Sequence, residues 1–143
     1  MGEHVDRHSS FPSRLSSARR ARRFVRSTVS GYLPGQALDT VELLTSEVVT
    51  NAVVHAASSP VVEVAAEGGT VRVSVADRCP GFPMPLQVQE DATSGRGLAL
   101  VDVMADAWGV ERMPDQGKRI WFEVRGCTIV DDGEPAGWSR PGI

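Results

Sequence analysis

The sequence predicts an α+β domain in two layers, with helices on one face of a mixed, mostly antiparallel sheet. Three observations predict it. Two long stretches in the first half repeat apolar residues at helical spacing, and four later stretches alternate apolar and polar residues in two pairs. The element order is helix, helix, strand, strand, long loop, helix, strand, strand. It lacks the regular strand–helix alternation that builds a parallel sheet.

The elements follow in chain order. Residues 1–12 are expected to form a mobile leader with a short strand near its end. Leu15, Ala18, Phe24, Val25 and Val29 mark a helix from about Ser13 to Ser30, with its arginines on the other side. Gly31-Tyr-Leu-Pro-Gly35 breaks it. A second helix runs from about Gln36 to Ala56 with Leu38, Val41, Leu44, Val48 and Ala52 facing inward, and Ser58-Ser59-Pro60 stops it. Strands Val61–Ala66 and Val71–Asp77 flank Glu67-Gly-Gly-Thr70, a hairpin signal. Residues 78–95 hold Pro80, Pro83 and Pro85 and little periodicity, which reads as a long functional loop. Gly97–Asp106 reads as a third helix. Trp108–Met113 and Lys118–Arg125 read as a last strand pair across Pro114-Asp-Gln-Gly117. The tail from Gly126 to Ile143 is rich in Gly and Pro without a period and is expected to be largely disordered. The domain proper is therefore expected at residues 13–125.

At 143 residues the chain is long enough for one domain with a sizeable core. A net charge of −3 argues against global affinity for nucleic acid. The charge is uneven: Arg7, Arg14, Arg19, Arg20, Arg22, Arg23 and Arg26 face only Glu3 and Asp6 in the first thirty residues. A solvated helix face or an acidic protein partner explains that bias better than nucleic acid does. Cys79 and Cys127 make neither a disulfide framework nor a zinc site. No apolar run reaches membrane-spanning length, and the first ten residues lack a signal-peptide core, so no membrane association and a cytoplasmic location are expected.

The chemistry is concentrated in Glu47-Val-Val-Thr-Asn51. At ~100° per residue, Asn51 lies about 20° from Leu44, inside the arc that should be buried, with Glu47 four residues earlier on its rim. A carboxamide in an apolar stripe must find polar partners. A metal–phosphate group would serve, as would a structural contact. Asp77 continues the parity of Val71, Val73 and Val75, so strand β-periodicity drives a carboxylate to the buried side. There it needs a donor, such as a purine amine, unless it only opens a turn. Gly95-Arg96-Gly97 leads into the third helix, where open backbone amides and the helix dipole favour phosphate, although glycines also serve plain turns. Lys118 shares parity with Ile120, Phe122 and Val124 and so approaches the same side, or belongs to an ordinary hairpin strand. His55, one turn beyond Asn51, reads first as a core histidine and second as a nucleotide contact.

Taken together, these motifs resemble the ATPase domain shared by gyrase, heat-shock chaperones, histidine kinases and mismatch-repair MutL, the GHKL superfamily. Within it the chain is similar to the short bacterial anti-sigma factor serine kinases, over about residues 11–125. Glu47-Val-Val-Thr-Asn51 matches the N-box, Asp77-Arg-Cys-Pro-Gly81 the first glycine box and Gly95-Arg96-Gly97 the second. Ala21-Arg-Arg-Phe-Val25 and Trp121-Phe-Glu-Val124 are also typical of the subgroup. The resemblance implies the Bergerat ATP-binding fold, with ATP and Mg²⁺ as cofactors. It implies that Asn51 ligates Mg²⁺, Glu47 acts as general base toward a protein serine, and Asp77 accepts from the adenine amine. Gly81 would lie close to the base, and Gly95, Arg96 and Gly97 would hold phosphates. The implied partners are a sigma factor, a STAS-domain anti-sigma antagonist and a second copy in a homodimer.

Three departures accompany the match. Cys79 stands where the first glycine box has a glycine, and Lys118 stands where the superfamily often has a threonine that helps a water bind adenine. Asp91, Thr93 and Ser94 occupy the stretch where some such kinases carry a basic lid residue, a charge that Arg96 could replace. These departures motivate an alternative reading, a nucleotide-sensing module that binds its partner without kinase turnover.

Overall fold

The structure, a computed structural model, describes residues 4–56, 59–77, 92–113 and 117–126. The elements are β1 (His4–Ser10), α1 (Ser16–Val29), α2 (Gly35–Ala56), β2 (Val61–Glu67), β3 (Thr70–Asp77), α3 (Ala92–Met104), β4 (Ala107–Arg112) and β5 (Lys118–Arg125). The five strands form one sheet in the order β1-β2-β3-β5-β4, and every pairing is antiparallel. The expected mixed sheet is thus antiparallel throughout its described strands.

The sheet's register follows from the period-2 pattern of its strands. Val62, Val64 and Ala66 of β2 sit opposite Val75, Val73 and Val71 of β3, and these sit opposite Ile120, Phe122 and Val124 of β5. All nine side chains are buried. Their common face is the floor on which the helices pack. From α1 it receives Ala21, Val25 and Val29, from α2 Leu38, Val41, Leu44 and Val48, and from α3 Val101. Burying a Val or Leu side chain stabilises the fold by about 1.5–3 kcal/mol, so this single layer dominates the driving force.

The β2–β3 turn is made by Gly68 and Gly69, with φ of 57° and 82°. Positive φ at both central residues is the geometry that a two-residue hairpin loop requires and glycine supplies without steric cost. The hairpin fixes the β2–β3 register and, through the eight-residue β3–β5 ladder, places Asp77 opposite Lys118.

Two boundaries differ from expectation. The stretch expected as a leader is mostly strand: β1 pairs with β2 along seven residues. Its local sequence looks polar because it is an edge strand whose side chains are largely exposed. It is held in place by Arg7, whose guanidinium lies 5.6 Å from the centre of the Phe24 ring, and by Phe11, which packs edge-on against the same ring. The third helix starts at Ala92, five residues before the expected Gly97. Glycine costs a helix interior about 1 kcal/mol relative to alanine, and α3 nonetheless includes both Gly95 and Gly97. The residues between β3 and α3, expected as a long loop, and the tail beyond Gly126 lie outside the described residues.

Candidate nucleotide site

Two polar groups of α2 belong to the candidate site. Asn51 is buried, 6% exposed, among Val48, Val49 and Ala52. Glu47 is half-buried one turn earlier. Another buried polar residue of this helix, Thr45, satisfies itself by donating to the Val41 carbonyl at 2.7 Å. Asn51 does not: its Nδ2 is buried and has no hydrogen-bond partner among the described residues. Oxygen and nitrogen of a carboxamide exchange places by a half-turn of the side chain. The site therefore offers a polar end, donor or acceptor, that the fold leaves unspent. Leaving such a group buried costs about 1–3 kcal/mol, a cost that a bound polar ligand removes. Glu47 likewise makes no hydrogen bond or ion pair among the described residues.

A third group comes from the sheet. Asp77 ends β3 on the helix-facing side, as its parity predicts, and is 5% exposed. Across the ladder, Lys118 opens β5, and its Nζ donates to Asp77 Oδ2 at 3.1 Å. The Asp77 side chain is 2% exposed and that of Lys118 16%. A carboxylate so deeply placed needs compensation, and the lysine provides part of it. The sequence treats these two residues as separate candidates. The signal that joins them is the equal length of two antiparallel strands, which sets the last residue of one against the first of the other.

The remaining candidates divide by element. Gly95, Arg96 and Gly97 lie in the first turns of α3 rather than ahead of it. Only the first amides of a helix lack an intrahelical partner, so in α3 these are the amides of the turn starting at Ala92, and Gly97 falls beyond them. Gly81 lies outside the described residues, as do the surroundings of the His55 side chain. A cavity of about 520 Å³ at the same end of the sheet is lined by Val61, Ser74, Ala76, Asp77, Met113 and Arg119 among others, and Glu47 and Asn51 are not part of it.

The donor set suits one hard cation better than a protein-made metal cage. Among the described residues no group of three or more His, Cys, Asp or Glu side chains could hold a metal ion. Magnesium binds through few protein oxygens and fills its shell with water and phosphate. A single amide oxygen from Asn51 fits that habit: Nδ2 is buried and unbonded, so a half-turn of the carboxamide breaks no bond of that nitrogen and brings the oxygen to its place.

A two-layer α+β domain with a buried carboxamide and a half-buried carboxylate on one helix and a buried carboxylate at the end of a facing strand has the layout of a GHKL-type ATPase fold. The chain belongs to the histidine kinase-like ATPase domain family, whose pattern matches residues 11–124. Among solved structures it is similar to the RsbU and RsbW domains of Rv1364c from Mycobacterium tuberculosis, with a TM-score of 0.64 and 22% identity over 85% of this chain and 32% of that one. It is also similar to the histidine kinase domain of the Erythrobacter litoralis EL346 blue-light activated histidine kinase, with a TM-score of 0.50 and 24% identity over 80% of this chain and 61% of that one. At these identities the likeness is one of fold, and the chain spans about a third of the first structure's length. No curated protein matches the sequence. No helix among the described residues is long and apolar enough to cross a membrane.

Proposed function

We propose that the chain is an ATP-binding anti-sigma factor with protein serine kinase activity, holding a sigma factor inactive and phosphorylating a STAS-type antagonist, as a homodimer in the cytoplasm. The observation that carries the nucleotide part is the unpartnered, buried Asn51 carboxamide one turn from Glu47. The family is one of ATPases, and the motif resemblance supplies the anti-sigma reading. The shared fold with a structure containing an RsbW domain is compatible with it.

The roles follow from the chemistry of each group. Asn51 would hold Mg²⁺ through its amide oxygen; the ion, when bound, neutralises phosphate charge. Asp77, an acceptor only, would take a hydrogen bond from the purine amine. The first-turn amides of α3, with Gly95, Arg96 and Gly97 beside them, would face the phosphates, and Gly81 the base. Glu47 would accept the proton of a serine hydroxyl as its oxygen bonds to the γ-phosphorus and the bond to the β-phosphate oxygen breaks. Phosphoryl transfer asks mainly for positioning and charge neutralisation, which a domain of this size can supply.

One observation favours a second reading, partner binding without transfer. Glu47 has no hydrogen-bonded neighbour to orient it among the described residues, and a general base acts only when held within reach of its proton. Labelled ATP with Mg²⁺ and a candidate STAS protein separates the two. The kinase reading expects label on the antagonist with wild type and a loss of at least ~10²-fold with Glu47→Gln, at unchanged ATP affinity. Wild type that binds ATP and transfers no label to any cognate antagonist leaves the binding module.

A further inference from the structure

We propose that Lys118 is a second base-reading residue: its ammonium donates to ring nitrogen N1 of adenine while Asp77 accepts from the adjacent 6-amino group. The inference rests on the nucleotide reading above and deepens it, since it concerns how this chain recognises the base.

The register places the two residues directly opposite each other at the end of the β3–β5 ladder. Both side chains share the helix-facing side, and Nζ stands 3.1 Å from Oδ2. The carboxylate side chain is 2% exposed and the lysine 16% exposed, so a ligand that comes to the pair from the helix-facing side meets the ammonium together with the carboxylate. An ionised carboxylate only accepts hydrogen bonds, and an ammonium only donates them. Side by side they present an acceptor and a donor at hydrogen-bond spacing. The Watson–Crick edge of adenine presents the complement, a donor amine beside an acceptor nitrogen.

Lys118 does not have to leave Asp77 to act. An ammonium carries three donors, so one bond to Oδ2 leaves two for the base. A single acidic residue in the same place would read only the amine and would need a water to satisfy N1. The lysine removes that need, and it also keeps the buried carboxylate compensated while no base is bound, so that ligand binding does not have to offset an isolated buried charge. Deletion of one partner from a charge-assisted bond to a base should therefore show in affinity and, more tellingly, in discrimination at N1.

The test compares ATP with an analogue in which N1 is replaced by C–H, by calorimetric titration of the whole chain with Mg²⁺. Wild type is expected to bind ATP roughly ten- to hundredfold tighter than the analogue, the range for a hydrogen bond to a charged group. Lys118→Met is expected to weaken ATP binding and bring the ratio close to one, while Lys118→Arg restores it. A purely structural lysine would weaken both ligands alike and leave the ratio unchanged in Lys118→Met, which overturns the proposal. The wild-type ratio needs no variant to fold, and a value near one overturns the proposal by itself. Tight ATP binding with either of those results removes only the role of Lys118. Absence of binding by both nucleotides to wild type removes the nucleotide reading together with it.

Discussion

Helices α1 and α2 pack against each other on the same sheet, and they treat buried polarity differently. In α1 the buried residues are Ser17, Ala21, Val25, Thr28 and Val29, and Arg19, Arg20, Arg22, Arg23 and Arg26 are exposed. Its two buried hydroxyls bond to backbone carbonyls, Ser17 to Pro12 at 2.6 Å and Thr28 to Phe24 at 2.8 Å. Every group is placed as folding alone would place it. In α2 the core stripe of Val41, Leu44 and Val48 runs on into Asn51, whose carboxamide the fold does not satisfy, while Leu43 and Val54 are exposed. Among the described residues, one helix obeys the rule that buried polar groups are bonded and the other breaks it at Asn51. Such breaks concentrate at functional sites.

That contrast can be broken at several points. The largest effect is expected where α2 behaves as α1 does. Leu44 is fully buried, and Leu44→Ala should lower unfolding stability by about 2–5 kcal/mol in a urea titration. A result under ~1 kcal/mol would mean that the stripe is not the core. Next comes the broken rule itself. Asn51→Leu replaces an unsatisfied amide by an apolar group of similar size, and should raise the stability of the nucleotide-free protein by about 1–2 kcal/mol while abolishing Mg-ATP binding. Loss of stability there would show that the amide is bonded after all. The smallest effect belongs to α1. Arg19 lies three and four residues before Arg22 and Arg23, where like charges repel on a helix surface. Arg19→Glu should change stability by less than about 0.5 kcal/mol, in the stabilising direction, by the same titration.

Most of the architecture was legible because it rests on periodicity. Strand β5 begins and ends where alternation places it, and the Gly68-Gly69 turn carries the positive φ its residues suggest. Two features were not legible, for physical reasons. An edge strand such as β1 is stabilised by pairing with β2 and buries little, so its sequence carries no apolar alternation. The start of α3 was hidden because two glycines inside a helix look like a helix boundary when only local propensity is weighed. At the site, the burial of Asn51 and Asp77 followed from helical and strand phase. The ion pair between Asp77 and Lys118 did not, because strand pairing is a long-range property: the two residues are 41 positions apart. The residues expected to carry the first glycine box beyond Asp77 lie outside the described chain.

The central claim, that the unspent carboxamide of Asn51 holds a divalent cation against the phosphates of ATP, is tested most directly by calorimetric titration of ATP with and without Mg²⁺ into wild type and Asn51→Ala. The account predicts that wild type binds ATP much more tightly with Mg²⁺ and that the variant, folded to the same melting temperature, loses that magnesium-dependent affinity. Equal Mg-ATP affinity in the two proteins would contradict it.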